Sequence, residues 1–251
     1  MQEKKPILII GDSCKDVFVY CHCERLCPEA PVPVLDIVNT KENGGMAMNV
    51  FVNLKKLKPN AAIITNDSWD KVTKTRYVDI VTNQMFVRID NTLKIQSNFG
   101  STRNKINFDD FSAVVISDYN KGFITEDDIE FITKKHKLTF LDTKKAIGSW
   151  ANRVTFIKIN RKEYGISKEF FDKNKKIKDK VIKTIGDQGT EYRGAIYGVS
   201  KVEVKDLSGA GDTFLAGLVA KYIDTKDIVK AIEFANECST IVVQKKGVST
   251  L

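Results

Sequence analysis

Short apolar runs separated by helix-like stretches constrain the fold of this 251-residue chain more than any other feature. Each run spans only a few residues, which suits a buried strand and is too short for a membrane-spanning helix. Between them lie amphipathic stretches such as residues 125–135, where Thr125 is suited to cap a helix and Asp127 and Asp128 favour its first turn. This alternation predicts an α/β fold with a mostly parallel sheet flanked by helices. The predicted strands are residues 7–10, 61–65, 113–117, 138–141, 154–159 and 181–185, and the predicted helices are residues 49–57, 125–135, 215–223 and about 226–244.

Two segments break this alternation and predict a second, smaller sheet. Residues 17–38 contain strand-like pieces around a proline-rich stretch, and residues 77–90 alternate apolar and polar side chains as a hairpin does. We expect these pieces to form a small β lid, with segments at about residues 14–38 and 76–92. No repeat, low-complexity linker or domain boundary interrupts the chain, so residues 1–251 are predicted to form a single domain.

The charge balance is basic, with a formal net charge of +8. Such an excess favours anionic partners, of which nucleic acids and phosphorylated small molecules are the obvious classes. No nucleic-acid-binding motif accompanies the charge and Arg is scarce beside Lys, so we expect a lysine-rich solvated surface and no nucleic-acid partner. The chain has no apolar run of 18 residues and no signal-like N-terminal segment. We therefore predict no membrane association and a cytoplasmic location.

Four of the five cysteines fall close together in the chain, with His22 among them. A zinc site is one interpretation, but the C-x-x-C spacing that typifies such sites is absent. Alternate cysteines on an extended segment share one strand face, which suits packing as well as ligation. We predict reduced, unbridged thiols without metal at Cys14, Cys21, Cys23, Cys27 and Cys238.

A turn of small residues leads directly into an apolar helix in the C-terminal third. Gly209, Ala210 and Gly211 would place free amides at the helix N-terminus, where the macrodipole favours anions. Asp212 would repel a phosphate bound only as a ligand. Its presence is explained if it takes a proton from an attacking hydroxyl while the amides stabilise a transferred phosphoryl group. The alternative is a close-packing turn with an ordinary acidic residue in the first helical turn.

The chain as a whole resembles the ribokinase-like (PfkB) carbohydrate kinases. The turn Asp206-x-Ser-Gly-Ala-Gly-Asp212 is similar to that family's signature, although Ser208 stands where the family has threonine. Within the family, the chain is most similar to the heptose 7-phosphate kinase domain of bifunctional lipopolysaccharide heptose enzymes. The segments that carry the resemblance occur in family order: Gly11-Asp12-x-x-x-Asp16, Arg25 to Val34, Gly44-Gly45 with Asn49, Ser117 to Gly122, Asp142-Thr-Lys144 and Phe234-Ala-Asn236.

The resemblance implies a ribokinase-like fold and a set of catalytic and sugar-binding residues. Asp212 would be the catalytic base, with Gly209, Ala210 and Gly211 as the anion hole. Asp12 and Asp16 have an alternative interpretation as turn residues after a strand. Single basic residues are usually solvated, so Arg88 and Lys121, which would face a substrate phosphate, have the same kind of alternative. The implied substrate-binding residues are Asp12, Asp16, Gly45, Asn49, Arg88 and Lys121.

The resemblance also implies ATP and Mg²⁺ as cofactors. Glu163 would help to place the magnesium ion indirectly, and Asn160 would act beside it; the alternative for this pair is an ordinary helix cap. Lys144 would otherwise be a surface lysine, and Thr143 replaces the proline that the family has before it. The implied cofactor-binding residues are Asn160, Glu163, Lys144, Thr184, Gly186, Gly189 and Asn236.

The function implied is ATP-dependent phosphorylation of a sugar or sugar phosphate, at the anomeric hydroxyl of a heptose 7-phosphate. A kinase for another sugar and a non-catalytic sugar- or nucleotide-binding protein are the alternatives. Between residues 57 and 74 the chain is shorter than the family pattern by about a strand and a helix, which bears on activity. The resemblance also implies a homodimer formed through the lid.

Overall fold

The computed structural model describes residues 5–91, 95, 97–247 and 250–251, and within them the chain forms two sheets and six α-helices. In chain order the strands are β1 (Ile7–Gly11), β2 (Ser13–Leu26), β3 (Pro33–Met46), β4 (Ala61–Thr65), β5 (Thr73–Asp79), β6 (Met85–Asn91), β7 (Ala113–Asp118), β8 (Thr139–Thr143), β9 (Phe156–Asn160), β10 (Val181–Thr184), β11 (Thr190–Tyr192) and β12 (Ala195–Tyr197). The helices are α1 (Ala47–Leu57), α2 (Glu126–Lys135), α3 (Arg161–Lys173), α4 (Lys175–Lys178), α5 (Ala210–Thr225) and α6 (Ile228–Val243).

The main sheet has the strand order β12-β11-β10-β9-β8-β7-β1-β4. The six strands β10, β9, β8, β7, β1 and β4 are parallel to one another. The last two, β11 and β12, are antiparallel to their neighbours. The parallel arrangement agrees with the sequence prediction and has the same cause: strands that alternate with helices must return to the same end of the sheet. The strands expected from the apolar runs are present, with ends shifted by up to two residues.

Hydrophobic side chains cover both faces of the main sheet. Ile7 and Ile9 on β1 face one cluster with side chains of α1, α5 and α6, whereas Leu8 and Ile10 face another with side chains of α2 and α3. This alternation along a strand that is buried on both sides explains why its sequence is continuously apolar. Full burial of each such side chain is worth about 1.5–3 kcal/mol.

The lid sheet is formed by β3-β2-β5-β6, where β2 and β5 are parallel and the outer pairs are antiparallel. A separate small sheet was predicted, and the structure confirms it, but β3 continues to Met46, beyond the predicted end near residue 38. Residues 39–46 are a polar run followed by two glycines, which hides this extension in the sequence. Of the predicted second segment, Thr92 lies outside the described residues.

The connection from β4 to the lid is short. A single 3₁₀ turn at Trp69–Lys71 joins β4 to β5, so no helix lies between these strands. As a result β4 is an edge strand of the main sheet in the described structure. This is the region in which the sequence is shorter than the family pattern. Of the helices that the structure describes, none is long and apolar enough to cross a membrane.

Candidate active site

Polar side chains collect where the parallel strands of the main sheet end. Asp12 follows β1, Asp118 ends β7, Asp142 lies near the end of β8 and Asn160 ends β9. In open α/β sheets the crevice beyond the carboxyl ends of the strands is where ligands bind. All four side chains are buried or half-buried, which is unusual for such polar groups and directs attention to this edge.

The N-terminus of α5 points into this edge. Gly209 is its N-cap residue and has φ 82°, a left-handed conformation that glycine adopts without steric cost. A methyl group on Gly211 would lie 3.0 Å from the Lys158 Nζ atom, so the glycine lets this ammonium approach the helix terminus. The Ala210 amide donates to the Leu207 carbonyl at 3.3 Å, so it is not free as the sequence suggested. The helix dipole, the flanking glycine amides and a buried cation still meet at one place, which suits an anionic group.

Asp212, in the first turn of α5, is only 5% exposed and is hydrogen-bonded through both carboxylate oxygens. The Tyr119 hydroxyl donates to Oδ1 at 2.6 Å, and the Asn49 amide donates to Oδ2 at 3.0 Å. Burial raises the pKa of Asp212, while the hydrogen bonds from Tyr119 and Asn49 act in the opposite direction. A carboxylate with a raised pKa at a helix N-terminus is a suitable proton acceptor for a hydroxyl.

Asp12 organises the loop that carries Tyr119. It is fully buried and accepts hydrogen bonds from the backbone amides of Tyr119, Lys121 and Phe123. Burial raises the pKa of Asp12, and the nearby Asp118 carboxylate adds to this effect. The predicted sugar ligand Asp12 thus also fixes the loop between β7 and α2, whereas the side chain of Lys121 is exposed.

Asp16 and Gly45 lie together on the lid. A methyl group on Gly45 would lie 2.1 Å from the Asp16 Oδ2 atom, so only glycine leaves room for this carboxylate. Asp16 also forms an ion pair with Arg76 of the neighbouring strand β5. Arg76 was not identified from the sequence, where it is one basic residue within an alternating segment.

A chain of five charged and polar groups runs from β8 to α3. Asn160 caps α3 and forms a reciprocal capping box with Glu163, as one of the sequence interpretations held. Glu163 also bonds Lys144, and the Lys144 Nζ atom lies 3.8 Å from Asp142 Oδ1. Burial alone would lower the pKa of Lys144, but Asp142 and Glu163 outweigh this and raise it. The fifth member, Lys158, is buried and lies 2.6 Å from Asp142 Oδ2.

The remaining residues predicted to bind the nucleotide lie near β10, β11 and β12, at the other end of the main sheet. Gly189 has φ 92°, and a methyl group there would lie 2.1 Å from the Tyr197 carbonyl oxygen. Asn236 on α6 accepts from the Thr190 hydroxyl and donates to the same Tyr197 carbonyl, which ties the β11–β12 hairpin to α6. Thr184 ends β10, and Gly186 begins the 3₁₀ turn that leads into the hairpin. Among the described hydrogen bonds none joins these residues to Asp212.

The inner lid face is the side of the lid sheet on which the strand register places Asp16, Phe18, Lys74, Arg76, Arg88 and Asp90. Arg88 is exposed on β6 and pairs with Asp90. Lys74 is half-buried, its Nζ atom lies 5.2 Å from the centre of the Tyr119 ring, and no carboxylate of the described residues is within salt-bridge distance. The sequence prediction named Arg88 but not Lys74.

Six residues of the site were not identified as site residues from the sequence: Lys74, Arg76, Asp118, Tyr119, Asp142 and Lys158. A lysine within the otherwise apolar strand β9 was a usable signal for Lys158, because an unpaired ammonium is costly in a core. Tyr119 lies within a segment that carries the family resemblance. Nothing in the local sequence separates Lys74 or Arg76 from solvated lysines and arginines.

The site residues fit a nucleoside triphosphate with a divalent cation. Lys144 and Lys158 are cations beside the α5 N-terminus, and Asp142 Oδ1 is buried without a hydrogen-bond partner among the described residues. A carboxylate oxygen of this kind suits Mg²⁺, which keeps several waters and needs few protein ligands. Within the described residues no group of three or more His, Cys, Asp or Glu side chains could hold a metal ion. The five cysteines are unbridged there.

Comparison of sequences identifies related proteins. The model of the pfkB family of carbohydrate kinases matches residues 123–251. The chain is 30% identical over 295 aligned residues to the bifunctional protein HldE of Helicobacter pylori strain J99, covering 97% of this chain. It is 29% identical over 289 aligned residues to the HldE protein of Campylobacter jejuni strain RM1221, covering 98% of this chain. The chain spans 64% and 62% of the length of these two relatives.

Solved structures with the same fold include two ribokinases. That of Thermotoga maritima has a TM-score of 0.70 and 17% identity, with 97% of this chain and 94% of that chain covered. That of Arabidopsis thaliana, in complex with ribose and ATP, has a TM-score of 0.68 and 14% identity, with 98% and 94% covered. These neighbours confirm the ribokinase-like α/β fold that the sequence predicts.

Proposed function

Because this chain belongs to the pfkB family of carbohydrate kinases, and is therefore a sugar phosphotransferase, we propose that it transfers the γ-phosphoryl group of ATP to the anomeric hydroxyl of a heptose 7-phosphate. The observation that carries the proposal is the carboxylate of Asp212. It is buried at the N-terminus of α5, beside the amides of Gly209 to Gly211. A carboxylate at this position can act as a base, whereas in a site that only binds phosphate it would repel the anion.

The residues of the chain divide the work of the reaction. Asp212 takes the proton of the attacking hydroxyl, and the α5 amides stabilise charge on the phosphoryl group as it moves. Lys144 and Lys158 add positive charge on the same side of the site. When bound, ATP with Mg²⁺ would supply the phosphoryl group and neutralise part of its charge. Thr184, Gly186, Gly189 and Asn236 are proposed to line the nucleotide end, and Asn160 and Glu163 to act on magnesium indirectly.

Two lines of support favour a substrate that already carries a phosphate. The segment Arg25 to Val34 resembles the heptose 7-phosphate kinase group. On strands β2, β5 and β6 the inner lid face carries three cations, Lys74, Arg76 and Arg88, against two carboxylates, those of Asp16 and Asp90. A dianionic substrate needs such cations, because an unpaired charge in a closed site is costly. Asp12, Asp16, Gly45 and Asn49 are proposed to bind sugar hydroxyls, and Lys121 to lie near the distal phosphate.

Two other functions are the alternatives. One is a kinase for a different or unphosphorylated sugar, and the other is a non-catalytic binding protein. The hydrogen bonds to both carboxylate oxygens of Asp212 and the network of Lys144, Glu163 and Asn160 speak against the second, since a protein that only binds sugar has no need of a base.

The test is ADP formation from ATP by the purified protein with a panel of sugars and sugar phosphates. The proposal expects turnover with a heptose 7-phosphate and a much lower kcat/KM with the free heptose. Turnover with a neutral sugar only would leave the kinase assignment standing and overturn the substrate. ADP formation that persists unchanged in Asp212→Asn would overturn the mechanism, with Asp224→Asn at the far end of α5 as the matched control.

A homodimer through the lid and a cytoplasmic location stay predictions. Exposed aliphatic side chains on the lid strands, such as Ile37, Val87 and Ile89, support association of two copies. Sedimentation of the purified protein would measure the oligomeric state. A monomer at all concentrations would contradict the dimer without affecting the proposed reaction.

A further inference from the structure

Tyr119 is the point at which the lid, the main sheet and the proposed base meet. Its hydroxyl donates to Asp212 Oδ1 at 2.6 Å. Its ring has the Lys74 ammonium at 5.2 Å on the lid side and the Lys144 ammonium at 5.1 Å on the sheet side. Its backbone amide is held by the buried carboxylate of Asp12. Tyr119 is thus held through its amide, its ring and its hydroxyl, which are more constraints than packing into a core requires.

The hydrogen bond to Asp212 has a defined chemical direction. Burial, with the adjacent Asp212 carboxylate, raises the pKa of Tyr119 well above its ordinary value, so the phenol stays protonated and acts as a donor. Each carboxylate oxygen can accept two hydrogen bonds. Tyr119 on Oδ1 and Asn49 on Oδ2 occupy one position each and fix the plane of the carboxylate, which leaves accepting capacity for a substrate hydroxyl.

We propose that Tyr119 is a positioning residue that holds the carboxylate of Asp212 in its reactive orientation and keeps it ionised. This rests on the proposed role of Asp212 as the base. The hydroxyl stabilises the charged form of a carboxylate that its own burial disfavours. The two cations near the ring, one of them from the lid, keep the phenol in place.

The other charged and titratable groups around Asp212 come from several elements. Asp142 on β8 disfavours its charge, and Lys158 on β9 favours it. Lys144, after β8, and the buried thiol of Cys14 on the lid also interact with Asp212, and burial raises the pKa of that thiol to about 12, so it stays neutral. Removal of the Tyr119 hydroxyl leaves all of these groups in place, so the change in the pKa of Asp212 reports on the single hydrogen bond.

The sign of the effect follows from this arrangement. A hydrogen bond to the charged form lowers the pKa of a carboxyl group, so its loss raises the pKa of Asp212 above the wild-type value. The fraction of ionised base at a given acidic pH then falls. In Tyr119→Phe the acidic limb of the kcat profile should therefore move to higher pH by about one unit, the size expected for a hydrogen bond to a charged group.

The experiment compares wild type, Tyr119→Phe and a matched control, Tyr77→Phe, which removes a phenol hydroxyl from lid strand β5 without contact to Asp212. We expect kcat of Tyr119→Phe to fall roughly tenfold on the acidic limb of the profile and to recover in part as the pH rises, with a smaller change in KM. The control should keep the wild-type profile. An unchanged acidic limb in Tyr119→Phe, or a change in KM alone, would overturn the positioning role.

A second measurement does not depend on turnover. The carboxyl ¹³C signal of Asp212 in the ligand-free protein reports its pKa, which should be higher in Tyr119→Phe than in wild type; equal values would overturn the proposal even if no substrate is known. If Tyr119→Phe does not fold, 3-fluorotyrosine at position 119, a stronger donor, should lower the pKa of Asp212, and no decrease would have the same consequence. Failure of the proposed function would show separately, as full turnover in Asp212→Asn.

Discussion

The base corner, formed by Asp212, Tyr119, Asn49 and the first turn of α5, differs from the inner lid face in how its polar groups are held. Asp212 and Asn49 are 5% and 1% exposed, and each has hydrogen-bond partners from other elements. On the inner lid face, Asp16 and Arg76 form a largely buried ion pair, but the polar groups farther from the base corner are held less tightly. Arg88 is exposed and, among the described residues, pairs with Asp90, two residues away on the same strand, and Lys74 is half-buried.

This difference separates two tasks that a sugar kinase must perform. Groups that take part in the chemistry must be fixed before the substrate arrives, because reorientation during the reaction raises the barrier. Groups that select the substrate can be held more loosely, provided that they are aimed at it once the lid is in place. We therefore expect substitutions in the base corner to lower kcat, and substitutions on the lid to raise KM for an anionic substrate.

The largest effect should come from the base. Asp212→Asn removes the proton acceptor and should lower kcat by a factor of roughly 10² to 10⁴, with nucleotide binding retained. Steady-state kinetics and nucleotide titration measure the two quantities, with Asp224→Asn at the opposite end of α5 as the control. Unchanged turnover would show that Asp212 is not the base. The division between catalytic groups in the base corner and substrate-selecting groups on the lid would then no longer hold.

The second effect concerns Lys74. Lys74→Met keeps most of the side-chain volume and removes a charge that no described carboxylate neutralises. If this ammonium contacts a substrate phosphate, KM for the phosphorylated sugar should rise about tenfold, the value of one charged hydrogen bond, and KM for the free sugar should change little. An equal rise for both sugars would show that Lys74 supports the structure of the site and not its specificity.

A smaller effect is expected for Arg88. It lies on the same face as Arg76, but its side chain is 49% exposed and already paired with Asp90. Arg88→Ala should raise KM for the phosphorylated sugar by about two- to threefold, more than for the free sugar, since exposed charge pairs contribute little. If Arg88→Ala raises KM for the phosphorylated sugar more than Lys74→Met does, the distal phosphate is bound at the β6 edge of the lid and not above Tyr119.

The smallest effect is expected for the cysteines. Cys14 and Cys21 are buried, and burial raises the pKa of both thiols, so they stay protonated and bind metal poorly. Native mass spectrometry of the purified protein should show the mass of the chain without zinc. A stoichiometric zinc adduct would contradict this prediction. The lid would then contain a rigid metal site, and the contrast between the lid and the base corner would be smaller.

The sequence by itself determined the parts of this protein that depend on local pattern. Apolar runs specify the strands of the main sheet because a strand buried on both faces cannot be polar. Thr125 and the Asn160–Glu163 pair specify helix starts because their side chains satisfy free amides within four residues. The turn from Gly209 to Asp212 is equally local, and its small residues and acid were sufficient to suggest the base.

The tertiary structure alone decided which distant residues meet this turn. Asn49 and Tyr119 bond Asp212 although 163 and 93 residues separate them from it in the chain. Lys74 reaches the Tyr119 ring because β5 lies beside β2 in parallel, a pairing that leaves no local signal. The physical reason is that a charged or polar side chain has the same local sequence whether it is solvated or bound to a partner. Only packing of the lid and the main sheet distinguishes these states.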